Sequence, residues 1–230
     1  MPIPLIIWGI GAGIVTLLAG CVVAATWDDI KKWWNGKNIA IIGARGVGKT
    51  HLCKFLLEGE IPEEYEQTTE PKKFSGRKFK LNELKLKIDD IIDVPGAKDY
   101  YKIWEQNCKC ADIIFYLVKS YEIFDNNEAT ISRIKTDFKR IDDWLKSRNP
   151  KPVFFAVGTF CDKHPEFIKI TPSNYGDYKD KFEQKEIIRE LKMLSENNGI
   201  RSAVILGSMK SKTDTEKLVK KLLDQVLLEK

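Results

Sequence analysis

The first feature along the chain is a block of 24 residues, Ile3 to Thr26, that contains no Asp, Glu, Lys, Arg or His. As a helix rising about 1.5 Å per residue, such a block is long enough to cross a hydrocarbon layer of about 30 Å. It predicts a transmembrane anchor over residues 1–27, followed by a juxtamembrane linker over 28–37. Beyond the linker the pattern changes to short apolar runs separated by amphipathic stretches. Asn38 to Ile42 reads as a short buried strand, and His51 to Leu57 as the start of a helix. Leu84, Leu86 and Ile88 alternate with Lys85 and Lys87 on the way to Asp93, as in a half-exposed strand, with Lys72 to Lys80 as its antiparallel partner. Ala111 to Val118 and Pro152 to Gly158 are further buried strands. Ile131, Ile134, Phe138, Ile141 and Leu145 recur at helical spacing, as do Leu218, Val219, Leu222, Leu223 and Val226. Strands alternating with helices predict an α/β domain over 38–230 with a mostly parallel sheet, and such sheets bind ligands at the carboxyl ends of their strands.

Composition narrows this picture. With 230 residues, 43% hydrophobic and 31% charged, the chain has room for one globular domain after the block. A second enzyme domain is excluded. The net charge of +5 suits an anionic membrane surface and gives no reason to expect nucleic acid as a partner. Five scattered cysteines without a CxxC pair argue against a disulfide scaffold or a zinc module. Lys31, Lys32 and Lys37 follow the apolar block and no basic side chain precedes it, so the positive-inside bias puts the domain in the cytoplasm. Trp8 and Trp27 suit the two headgroup levels. Trp33 and Trp34 suit either that level or the domain surface. Leu18-Ala19-Gly20-Cys21 resembles a lipoprotein cleavage site, but the basic leader is missing and apolar residues run on to Ala25. Four-spaced small residues (Gly9 and Gly13; Ala12, Thr16, Gly20 and Ala24) allow a helix-mediated homodimer, and are also simply common in membrane helices.

The strongest chemical signal is Gly43-Ala44-Arg45-Gly46-Val47-Gly48-Lys49-Thr50, which fits GxxxxGK[ST] between a strand and a helix that begins with His51. Glycines let successive backbone N–H groups turn toward a phosphate, and the positive end of the following helix faces the same anion. Lys49 supplies a compact cation for the outer phosphates and the Thr50 hydroxyl is a ligand for Mg²⁺. All of Gly43 to His51 are therefore candidate nucleotide-binding residues.

Ile91-Ile92-Asp93-Val94-Pro95-Gly96 is a strand ending in DxxG, whose Asp93 suits Mg²⁺ through water and whose Gly96 N–H suits a γ-phosphate. Thr159-Phe160-Cys161-Asp162 leaves the end of a later strand, and Gly207-Ser208-Met209-Lys210 leaves the last one. In this order the motifs resemble those of Ras-like small GTPases over roughly residues 38–230. The resemblance implies a three-layer P-loop NTPase fold with a mostly parallel six-stranded sheet flanked by helices. It also implies GTP/GDP and Mg²⁺ as cofactors and guanine read by Asp162. Thr159 and Phe160 stand where the family has Asn and Lys, and an aromatic ring can stack on a purine as an alkyl stem does. Ser208, Met209 and Lys210 correspond to the family's SAK loop, with Met for Ala. Residues 60–71 resemble the first switch segment, in which either Thr68 or Thr69 fits the Mg²⁺-binding position.

The resemblance also bears on catalysis. Ala97 follows DxxG where small GTPases usually place the Gln that orients water, and Arg45 occupies the place of a small glycine. Lys49 and Arg45 are thus the candidate catalytic residues, and slow or partner-dependent GTP hydrolysis is expected. The layout, an anchor followed by a GTPase domain, is similar to that of the signal-recognition-particle receptor beta subunit. It implies a membrane-bound switch that recruits a cytosolic protein. A scaffold that keeps GTP without hydrolysing it is the alternative. Lys72, Lys73, Arg77, Lys78 and Lys80 read as a solvated strand edge, and Lys163 to Tyr178 is longer than the family's usual connection, with no role assigned.

Overall fold

A computed structural model describes residues 14–18, 21–25, 37–58, 72–81, 84–93, 100–171 and 173–228. Within the apolar block it places two short strands, β1 (Ile14–Leu18) and β2 (Cys21–Ala25), paired antiparallel with Leu18 opposite Cys21. This departs from the continuous helix expected over 1–27. The segment is rich in β-branched side chains (Ile14, Val15, Thr16, Val22, Val23), which are restricted at χ1 in a helix and favour strands. The four-spaced rows of small residues lose their helical geometry at Thr16 and Ala24. Among the described residues no helix is long and apolar enough to cross a membrane. The remainder of the block and nearly all of the linker lie outside the described residues.

The domain that follows is built in three layers. Its middle layer contains β3 (Asn38–Gly43), β4 (Lys72–Leu81), β5 (Leu84–Asp93), β6 (Ile113–Lys119), β7 (Val153–Thr159) and β8 (Ser202–Leu206). The spatial order is β4-β5-β3-β6-β7-β8. Pairing is parallel from β5 through β8 and antiparallel between β4 and β5, where Lys72 lies opposite Asp93. The mostly parallel six-stranded sheet read from the sequence is therefore present, and β4 is the antiparallel edge.

Both faces of the central strands are buried, which explains why β3, β6 and β7 are apolar at nearly every position instead of alternating. Ile39, Ile41, Ile113, Phe115, Leu117, Val153, Phe155 and Val157 line one face and meet α1 (Lys49–Glu58) and α7 (Lys212–Leu228) through Leu52, Phe55, Leu218 and Leu222. The other face is formed by Ala40, Ile42, Ile114, Tyr116, Val118, Phe154 and Ala156. It is covered by α2 (Tyr101–Cys110), α4 (Glu128–Leu145), α5 (Tyr175–Glu183) and α6 (Glu186–Asn197). The helical stripe on α4 is buried at Ile134, Phe138, Ile141 and Leu145, while Asn127 caps the helix by accepting from Thr130 N at 3.0 Å.

Lys163 to Tyr178, left without a role by the sequence, folds into a short 3₁₀ turn at Phe167–Lys169 and the start of α5. It packs on the short helix α3 (Ser120–Phe124), where Phe124 stacks on His164 with ring centroids 4.1 Å apart and lies 5.0 Å from Tyr178. Aromatic pairs at such distances add about 0.5–1.5 kcal/mol beyond their buried area.

Candidate functional site

β3 ends at Gly43 in the middle of the sheet, and the chain must turn there to start α1. The turn is made by three glycines at positive φ: Gly43 (142°), Gly46 (75°) and Gly48 (94°). Residues with a side chain rarely adopt these values. A Cβ on Gly43 would stand 2.4 Å from the backbone carbonyl oxygen of Leu117, so the loop lies directly on β6. A Cβ on Gly46 would meet nothing within 4 Å. Gly43→Ala is therefore expected to cost about 2–3 kcal/mol in urea unfolding and Gly46→Ala only about 1 kcal/mol, since both are strained at φ but only the first meets an immovable atom. Equal costs would show that steric contact with β6 does not fix the loop.

Inside the loop, Val47 is buried and Ala44 packs on the core beneath it. Lys49 is only 6% exposed, and its ammonium donates to Ala44 O at 2.8 Å, closing the loop from within. Thr50 is half-buried in the first turn of α1, and Arg45 is exposed. His51 is partly buried, its Nε2 has no hydrogen-bond partner among the described residues, and burial lowers its pKa, which favours the neutral imidazole over a cation facing the phosphates. Asp93 ends β5 in register with Ile41 of β3, at the same edge of the sheet as the loop. Thr68, Thr69 and Gly96 lie outside the described residues. Among the described residues no group of three or more His, Cys, Asp or Glu side chains is gathered for a metal ion.

The second half of the site comes off β7 and β8. Thr159 is fully buried, and its hydroxyl lies 2.9 Å from Val47 O and 3.0 Å from Val118 O, donating its proton to one or the other. It thereby ties the glycine loop to the end of β7, a role the sequence reading did not give it. Ser120, also unforeseen, donates to Thr159 O at 2.8 Å. Phe160 adopts a left-handed backbone at φ 55°, rare for a bulky residue and a mark of a position fixed by its surroundings. The Lys163 ammonium stands 5.0 Å from the Phe160 ring centroid and 5.2 Å from that of Tyr121.

Asp162 is half-buried, and the Ser208 hydroxyl donates to its Oδ1 at 2.6 Å while accepting from Lys210 N at 3.0 Å. One hydrogen bond thus orients the carboxylate, and a carboxylate has acceptor capacity well beyond one bond. Lys210 is exposed. Met209 is 8% exposed and reaches the glycine loop: a Cβ on Gly48 would stand 2.4 Å from its Cε. A longer side chain at this position therefore joins the two halves of the site directly. Neither Thr159 nor Met209 announces this contact in sequence, because each depends on a partner more than a hundred residues away.

The loop fits a phosphate group chemically: it offers three glycines at positive φ, a buried ammonium and a helix N-terminus together. The family model described as Ras family matches residues 38–169, a span that includes the glycine loop, Asp93 and the Thr159–Asp162 turn. Ser208, Met209 and Lys210 lie beyond that span and are brought to the site by β8. The match covers more than half of the chain, and with this glycine loop at the carboxyl end of a parallel sheet the protein belongs to the Ras family.

Proposed function

We propose that this chain is a guanine-nucleotide switch held at a membrane, with its nucleotide domain on the cytoplasmic side and slow or partner-dependent GTP hydrolysis. The observation that carries the guanine reading is the Ser208–Asp162 hydrogen bond of 2.6 Å, together with Thr159 linking that turn to the glycine loop. Guanine presents an N1–H and an exocyclic amine side by side, two donors for one carboxylate, whereas adenine has an acceptor at N1. A carboxylate therefore selects between the two bases by leaving an acceptor facing an acceptor in the wrong complex. Phe160 offers an apolar face for stacking on the purine.

Gly43 to Thr50 would surround the phosphates, and Lys49 would lie against the outer ones. Thr50, Asp93 and Thr68 or Thr69 would hold Mg²⁺, whose charge neutralises the developing negative charge of phosphoryl transfer. Arg45 is the side chain of the loop suited to add charge stabilisation, while Ala97 has no group to orient water. This combination supports slow turnover, below about 1 s⁻¹ without a partner. The charge-free block of 24 residues supports attachment to lipid, and exchange of GDP for GTP would change the surface offered to a cytosolic protein. The test is nucleotide affinity of the full chain. GTP and GDP are expected to bind at least about a hundredfold more tightly than ATP. Asp162→Ala should remove that preference while leaving ATP binding as it was. Equal affinity of the unaltered chain for ATP and GTP would refute the guanine reading.

A further inference from the structure

Leu206 is the last residue of β8, the outermost strand, and the Gly207 to Lys210 loop begins immediately after it. On the inner side of the strand end, Gly207 N donates to Gly158 O at 3.0 Å and Cys161 N donates to Gly207 O at 3.2 Å. Successive residues of a strand direct their backbone groups to opposite sides, so the N–H and C=O of Leu206 face the open edge, where the sheet provides no partner. One side chain satisfies both. The Tyr175 hydroxyl donates to Leu206 O at 3.0 Å and accepts from Leu206 N at 3.2 Å. A phenol has this double capacity. The Lys221 ammonium of α7 reaches the same carbonyl at 3.4 Å and stands 3.4 Å from the Tyr175 ring centroid.

Tyr175 opens α5 at the end of the long connection after Asp162, and local bonds fix its position there. Thr171 N donates to Asn174 Oδ1 at 2.7 Å, and Tyr175 N donates to Thr171 O at 3.1 Å. Its hydroxyl is strongly protected from ionisation by burial and is a permanent donor.

From these contacts we infer that Tyr175 is a positioning residue for base recognition: by fixing both backbone groups of Leu206 at the sheet edge, it holds the following loop so that Ser208 can orient Asp162. This inference rests on the guanine reading above and gives the long connection a function. The carboxylate selects bases only as well as Ser208 is placed, and Ser208 hangs from Leu206 by two backbone links. Releasing the edge bonds lets the loop shift while the glycine loop and Lys49 stay where they are. Selectivity is then lost before phosphate binding.

The experiment compares GDP with IDP, which has the same sugar and phosphates but lacks the exocyclic amine. Affinities are measured calorimetrically on the full chain with Mg²⁺, for the unaltered protein, Tyr175→Phe and Tyr178→Phe. The unaltered protein is expected to prefer GDP. In Tyr175→Phe the GDP-over-IDP ratio should fall by about three- to tenfold, the worth of a hydrogen bond, with IDP, which keeps the N1–H, weakened less than GDP. Tyr178→Phe, on the same helix but set in the aromatic cluster with Phe124, should keep the ratio. An unchanged ratio in Tyr175→Phe, an equal loss for both nucleotides, or a matching loss in Tyr178→Phe overturns the assignment. An unaltered protein that does not prefer GDP sinks the guanine reading itself, and this inference with it.

Discussion

Lys49→Ala is expected to weaken GTP and GDP binding by at least about a hundredfold and, unlike Asp162→Ala, to weaken ATP binding with them. Lys49 as a residue is 6% exposed and its ammonium already donates to Ala44 O at 2.8 Å, so it is held in place before any ligand arrives. Little conformational freedom is then lost on binding, and each charge-assisted hydrogen bond to a phosphate oxygen keeps most of its value, about 1.5–3 kcal/mol. Losing one or two such bonds corresponds to a factor of about a hundred. Lys49→Arg is not expected to restore binding, because a planar fork cannot occupy the space of a compact ammonium inside a closed loop. The control is thermal unfolding. Saturating GTP with Mg²⁺ should raise the melting temperature of the unaltered chain, as any ligand specific to the folded state does, and should leave that of Lys49→Ala where it was. Nucleotide affinity within about tenfold of the unaltered chain would remove Lys49 from the binding machinery.

Local features of the domain were readable because the chain commits to them within a few residues. Asn38 to Leu57 is a buried strand, a glycine turn and a helix in succession, and the types of Gly43, Gly46 and Gly48 already declare the positive φ values that the turn adopts. The mostly parallel character of the sheet followed from alternation of strands and helices, while the strand order came from the structure alone. The first block shows where such reasoning stops. A continuous apolar run has no periodicity to separate helix from strand, and the β-branched residues of Ile14–Leu18 and Cys21–Ala25 outweighed length. Long-range contacts were equally invisible. Asp137 sits one residue before Phe138 on an amphipathic helix, where a carboxylate ordinarily faces water, yet it is fully buried because Tyr101 and Tyr116 arrive from two other elements. Tyr175 carries no motif at all, since its function exists only where an edge strand ends beside it.

That buried carboxylate carries the largest stability effect: Asp137→Ala is expected to destabilise the fold by about 3–5 kcal/mol. Asp137 on α4 accepts from Tyr101 of α2 at 2.5 Å, from Tyr116 of β6 at 2.9 Å and from Arg133 Nε one turn away at 2.7 Å. Three elements therefore meet at one group. Burial, reinforced by the Asp137 charge, pushes the Tyr101 phenol up to about 12 and that of Tyr116 well above its ordinary value, so both remain protonated donors. Truncation to Ala strands two buried hydroxyls and removes the carboxylate that Arg133, its side chain 17% exposed, pairs with at 2.7 Å. Arg140 over the Tyr101 ring at 4.3 Å is a second cation at the same cluster, facing less negative charge once the carboxylate is gone. Asp137→Asn keeps the shape but sets an amide donor among donors, and about 2–3 kcal/mol is expected. At about 2–4 °C per kcal/mol for a domain of this size, the Ala variant should melt roughly 10 °C lower. Because unpaired polar groups are the cause, Asp137→Leu combined with Tyr101→Phe and Tyr116→Phe should recover part of the loss, as apolar replacements of whole buried networks do. Urea unfolding of the three variants decides the matter. A cost below about 1 kcal/mol for Asp137→Ala, or no recovery in the triple variant, would show that the network does not join α2 to α4, and that the helix following Asp93 and Gly96 is held by its apolar face alone.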